Sequence, residues 1–257
     1  WPQPVKEVVQ TASVLGQTFD LRVLARMWPD HTELAVHMAV AEQADIWSTG
    51  AMQHYRFRHA LLRDTAYHMQ LRAQQRILHR KAATAIIEIY AQTLAAHYAE
   101  LVYHYRQSED RAHEQRYNKL AGEHAAEQYE NEEAITYFSR ALLLTEANDW
   151  TERIALLLQR ESVYNLLGQR SAQAQDLLEL RALAAMLQDE HAWQAVLLRQ
   201  AYYLRVSGDY EAALGVIQEV VARATAHSDQ ATETKAYHAW GRILSQQGDA
   251  PAALGPL

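Results

Sequence analysis

The chain has 257 residues, a formal net charge of −7 and no cysteine, so disulfides and thiolate chemistry are excluded. Hydrophobic residues make up 49% of it, enough for a sizeable core, yet no apolar run reaches the roughly 18 residues that a membrane span needs. Few glycines and prolines against abundant Ala, Leu, Gln, Glu and Arg predict an α-rich protein, and a length above the ~100–200 residues of one domain predicts two domains, or a domain and an array.

In chain order, "PVKEVVQTASVLGQTFDLRVLARMW" predicts a helix through Val5, Val8, Val9, Ala12 and Leu15, a break at Gly16 and a short helix starting near Asp20. "PDHTELAVHMAVAEQADI" predicts a third helix with Thr32 as its N-cap. Two short apolar ends around Ser48-Thr49-Gly50 in "IWSTGAMQHYRF" predict one small β-hairpin near 46–57. Three helices followed by a hairpin is the winged-helix order. In "YRFRHALLRDTAY" an alternating stretch gives way to a helical pattern at His59, and a long helix over about Leu71–Tyr90 follows.

Charge is unevenly spread. No Lys or Arg lies between Met27 and Tyr55; then come Arg56, Arg58, Arg63, Arg72, Arg76, Arg80 and Lys81, with Asp64 the single acid among them. Arg72, Arg76 and Arg80 fall at i, i+4 and i+8, one stripe of a helix. Such a stripe is either a solvated face or a docking face for a phosphate, an acidic domain or nucleic acid.

The second half repeats. "LLGQRSAQAQDLL", "VSGDYEAALGVI" and "QQGDAPAALGPL" carry a turn glycine at Gly168, Gly208 and Gly248, 40 residues apart, and the last two place Ala213 and Ala253 five residues later. "QYENEEAITYFSRAL" has Tyr129 in the glycine position, followed by Ala134, Phe138 and Ala141; the copy at Gly168 has Gln173 where alanine is expected. A glycine that ends one helix in the left-handed conformation and an Asp that caps the next describe a helix hairpin, with Gly122, Ala201 and Gly241 small enough for the paired helices to approach closely. The pattern, over roughly Arg116–Leu257, resembles the tetratricopeptide (TPR) repeat, with each helix lengthened by nearly a turn. Carrying the TPR geometry over places Arg116, Lys119, Glu123, Tyr202, Arg205, Lys235, His238 and Arg242 on the concave side, a basic partner-binding groove on an acidic chain.

The order "ASVLGQTFDLRVLARM", "YRFRHALLRDTAY", "LRAQQRILHRKAATAI" and "YENEEAITYFSRALLL" resembles the regulatory half of STAND-type ATPases, often fused in bacteria to adenylate cyclase or transcription-factor domains. The resemblance implies an all-α chain: a winged-helix-like domain with one small hairpin and a connecting helix (residues 1–92), then a TPR-like superhelix (93–257) truncated at its C-terminus. It also implies an NTPase domain upstream in the same chain, a cytoplasmic location, and a protein or peptide partner with an acidic stretch. In related disease-resistance proteins a Met-His-Asp histidine contacts the diphosphate of bound ADP. Arg58-His59-Ala60 falls on that motif, so Arg58, His59 and Arg63 are candidate nucleotide-sensing residues, although Ala60 removes any contact that needs the acid.

Chemistry beyond binding finds no support in the residues. There is no G-x-x-x-x-G-K-[ST] loop, no H-E-x-x-H, no second cluster to join His97 and His104 at metal-ligand spacing and no G-x-S-x-G elbow. The chain therefore reads as non-catalytic, with no metal and no cofactor of its own. A start at Trp1 without Met and a stop at Gly255-Pro256-Leu257 read as a piece of a longer protein. The other function class is a DNA-binding regulator with the helix at about 32–44 as reader. Duplex affinity rests mostly on phosphate neutralisation, and that helix carries Glu33 and Glu42 but no Lys or Arg.

Overall fold

The computed structural model describes residues 2–28, 31–50 and 53–247. The repeat turn expected at Gly248 with Ala253, and the capping side chain of Thr32, lie outside the described residues. Among the described residues the chain is all-α apart from one small sheet, and it divides into two compact units, Trp1–His124 and Ala125–Leu257.

The first unit opens with α1 (Gln3–Ser13), β1 (Thr18–Asp20), α2 (Leu21–Met27), α3 (His31–Gln43), β2 (Trp47–Thr49) and β3 (His54–Phe57). Gly16 makes the turn after α1 at φ 111°, and the Asp20 side chain caps α2 by accepting from the Arg22 amide at 2.7 Å. The sheet has three antiparallel strands in the order β1-β3-β2, with Phe19 opposite Tyr55 and Trp47 opposite Phe57. The hairpin lies where the sequence predicts it; β1 is an addition, because three residues are too few for alternation to show. Phe19, Trp47 and Phe57 meet ring to ring at 5.6–5.7 Å and close a core with Val5, Val8, Leu24, Leu34 and Met38.

α4 (Ala60–His68), α5 (Arg72–Ile89), α6 (Tyr98–Gln107) and α7 (Arg111–Glu127) follow. Leu101, Tyr105 and Tyr117 are buried in one core with Val14, Val23, Met27, Leu78 and Ile86. They belong to the compact unit that ends at His124.

The second unit continues with α8 (Asn131–Leu144), α9 (Trp150–Leu167), α10 (Arg170–Leu187), α11 (Glu190–Val206), α12 (Tyr210–Ala226) and α13 (Gln230–Gln247). Consecutive helices pack on one another, and α11 also touches α9 and α13, as first helices of successive hairpins do in a TPR-like stack. From α9 onward the helices are 17 or 18 residues long, which accounts for the 40-residue spacing. Left-handed residues mark the turns: Gly168, Gln188, Gly208 and Ser228 succeed one another every twenty residues. Glycine therefore marks only the turn within each hairpin, while Gln188 and Ser228 make the turn between hairpins unannounced. Asp209 caps α12 through the Ala212 amide at 3.1 Å, and Ala134, Phe138, Ala141 and Ala213 are fully buried.

Tyr129 holds the glycine position at φ 62° with its side chain 78% exposed. An L-residue there carries a strain of roughly 1–2 kcal/mol that glycine lacks. Tyr129→Gly is accordingly expected to stabilise the second unit by about 1 kcal/mol, read as a raised midpoint in urea; a lowered midpoint would show that the ring contributes more than the strain costs.

Candidate functional site

His59 leaves β3 in an extended conformation and serves as the N-cap of α4. Its carbonyl accepts from the amides of Leu62 at 3.1 Å and Arg63 at 3.3 Å, while its exposed ring makes no capping bond. The ring stands between two concavities. One, of about 490 Å³, is an apolar groove between α1 and α4 lined by Val9, Leu61, Leu62, Ala66 and Met69. The other, of about 440 Å³, lies at the sheet end and gathers Gln17, Ser48, Arg56 and Arg58, with Arg58 3.3 Å from Asp45.

Arg63 does not join them. Its Nε donates to the Ser13 carbonyl at 2.8 Å, it pairs with Asp64 at 2.9 Å, and its guanidinium lies over the Tyr67 ring at 5.1 Å. A cation at the last carbonyls of α1 satisfies that helix end, so Arg63 locks α4 to α1.

Of the expected groove residues, Arg116 and Lys119 belong to α7 of the first unit, Arg116 exposed and Lys119 half-buried. In the second unit Ala201 and Gly241 are buried at the helix contacts, as their size predicts. Lys235, His238 and Arg242 are exposed on α13 at i, i+3 and i+7, one stripe. Tyr202 on α11 is 42% exposed and covers the Arg205 guanidinium at 4.8 Å. Arg205 itself is only 9% exposed and donates to Gln246 at 2.8 Å. The residue ties α11 to α13.

Two buried polar systems escape sequence reading. The first joins α9 to α10. Arg160 grips Asp176 with two bonds of 2.9 and 2.6 Å and Ser139 with a third of 2.9 Å. Gln173 donates to Glu161 at 2.6 Å, and Arg199 reaches the other Glu161 oxygen at 3.2 Å. Gln173 is 0% exposed, so it does fill the small-residue position, with Glu161 as the partner that a buried amide requires. The available signal was symmetry, since both pairs lie about equally far on either side of the Gly168 turn. Burial pushes the Glu161 and Asp176 carboxyls up.

The second system crosses the first unit. Tyr67 Oη is 3.0 Å from His79 Nε2, His79 Nδ1 is 2.8 Å from His104 Nδ1, and His104 Nε2 lies 4.0 Å from Glu100. One ring must present its N–H and the other its lone pair at the Nδ1 contact, so both imidazoles cannot be protonated there. Burial brings His79 down to about 4 and His104 down to about 3. Among the described residues, no group of three or more His, Asp or Glu is placed to hold a metal ion, and no helix is long and apolar enough to cross a membrane.

No protein-family model and no curated protein matches the chain. Among solved structures it is similar to TPR-like repeats of a kinesin light chain from Podosopora anserina, with a TM-score of 0.57 at 14% identity, over 73% of this chain and 93% of that one. The Q17M structure of those repeats matches at the same TM-score and identity over 71% and 89%. A STAND protein with a tetratricopeptide repeat sensor from Pyrococcus horikoshii aligns over 99% of this chain and 43% of its own, at 10% identity and a TM-score of 0.46. At these identities the likeness to the kinesin light chain repeats establishes the TPR-like fold.

Proposed function

We propose that the chain is a non-catalytic regulatory module of the STAND type, in which a TPR-like array binds a partner protein and a winged-helix-like domain couples that event to an NTPase domain upstream. The order α1-β1-α2-α3-β2-β3 with its three-stranded sheet supports the winged-helix part. The exposed stripe of Lys235, His238 and Arg242 on α13 carries the binding part. A surface of one sign raises the local concentration of an opposite-sign partner, so the partner presents an acidic stretch, with Tyr202 as a flat contact beside it. In this reading Arg58 and His59 face a nucleotide phosphate from the polar concavity at the sheet end.

The reading is tested by fluorescence anisotropy of a labelled Glu/Asp-rich peptide. Reversing Lys235 and Arg242 together to Glu is expected to weaken binding at least about tenfold, at on the order of 1 kcal/mol for each exposed charge lost, and to flatten its salt dependence. The same reversal at Lys81 should leave it unchanged. Equal affinity and salt slope in the Lys235/Arg242 variant would remove this face from the function. The DNA-binding alternative gains nothing from the geometry: α3 has no Lys or Arg, and Val36 on it is 61% exposed, an apolar side unsuited to phosphates.

A further inference from the structure

The arginine stripe of α5 is not a uniform solvated face. Arg80 leans toward Asp110 at 3.9 Å, and Arg76 pairs with Glu109. Arg72 and Arg76 line a concavity of about 540 Å³ to which the end of α6 supplies Arg106 and Gln107. Tyr67, His68, Gln70 and Gln75 complete the lining. Three arginines thus line one pocket with a single carboxylate, Glu109, and neither Arg72 nor Arg106 forms an ion pair among the described residues. The first turn of α5, which borders the pocket, contains no acid and no side-chain cap, so its backbone N–H groups add to the positive field.

We propose that this pocket binds the phosphate group of a small, polar phosphomonoester, a function separate from the partner-binding face of the second unit. Arginine forks match phosphate oxygens two bonds at a time. Three cations less one carboxylate leave an excess near two charges, which balances the −1.5 to −2 of a phosphomonoester at neutral pH. The pocket volume falls in the range of about 300–1,000 Å³ typical of small-ligand sites. Its wall is made of amides and an imidazole rather than aliphatic groups, so the rest of the ligand is hydroxyl-bearing: Gln75, whose amide nitrogen donates to the Tyr67 carbonyl, presents its amide oxygen, and Gln107 offers both donor and acceptor.

Calorimetric titration of the whole chain at low salt with glucose 6-phosphate, inorganic phosphate and glucose tests this. Glucose 6-phosphate should bind saturably with a dissociation constant below about 1 mM, and glucose should not bind. Arg72→Gln with Arg106→Gln should weaken binding at least about tenfold, whereas Lys81→Gln and Arg111→Gln should leave it within about twofold. Arg72 and Arg106 are exposed, so the double variant should keep the wild-type circular dichroism. Failure to saturate by roughly 20 mM, or equal affinity in the double variant, would overturn the site. Inorganic phosphate binding as tightly as glucose 6-phosphate would overturn the assignment to a hydroxyl-bearing ligand, because the amide wall would then contribute nothing.

Discussion

Lowering the pH from 7 to 5 should loosen the first unit while the second remains closed. His79 and His104 are buried and neutral, and their folded pKa values of about 4 and about 3 lie below the unfolded value near 6.5. Their contribution is therefore complete above pH 6.5. It declines as the unfolded chain takes up protons that the folded chain refuses, and the decline ends where the folded rings titrate. By pH 5 the loss is on the order of 2 kcal/mol for each imidazole, a large share of the ~5–15 kcal/mol that holds a domain together. In the second unit the sign is reversed. Burial raises the Glu161 carboxyl, so its protonation in acid relieves a penalty instead of creating one. Hydrogen-exchange protection should accordingly fall first at α5 and α6 amides, with α9 and α10 protected to lower pH. The double variant His79→Gln, His104→Gln should lose the acid slope between about pH 6.5 and 4. A slope unchanged in that variant would assign the acid sensitivity to other groups.

Removing Arg160 should be the most damaging single change in the second unit. Asp176 is buried and receives two of the Arg160 bonds, so Arg160→Met leaves a carboxylate without its counter-ion and costs roughly 3–5 kcal/mol. The same pair raises the Arg160 guanidinium pKa, whereas burial raises that of the Asp176 carboxyl. The two-bond geometry, closed by Ser139, decides for the ionised pair. Changing both residues, Arg160→Met with Asp176→Leu, should restore most of the loss, because a buried ion pair and an apolar pair of similar volume differ little in net stability. Urea unfolding followed through the second unit measures both variants. If the double variant is as unstable as the single one, the arginine acts through packing and its bond to Ser139 rather than through charge.

The sequence by itself determined the fold class, the hairpin at 47–57, the helix breaks at Gly16, Gly168 and Gly208, and the buried small positions Ala201 and Gly241. Each of these is local: a left-handed turn needs glycine, and a close helix contact needs a small side chain. The register at Gln173 was also legible by position, but its buried partner Glu161 lay twelve residues away across a turn. Tertiary structure alone decided the rest. Tyr129, Gln188 and Ser228 adopt the left-handed conformation because packing on either side of the turn overrides residue preference. Packing also sets Arg63 against a helix end and Arg205 against a neighbouring helix. Arg72, Arg76 and Arg80 form one stripe in the sequence, but contacts from the α6–α7 turn separate them: Asp110 attracts Arg80, while Arg106 joins the other two around a pocket. Charge spacing along a helix shows which side chains share a face, and only the elements packed against that face decide which of them are already paired.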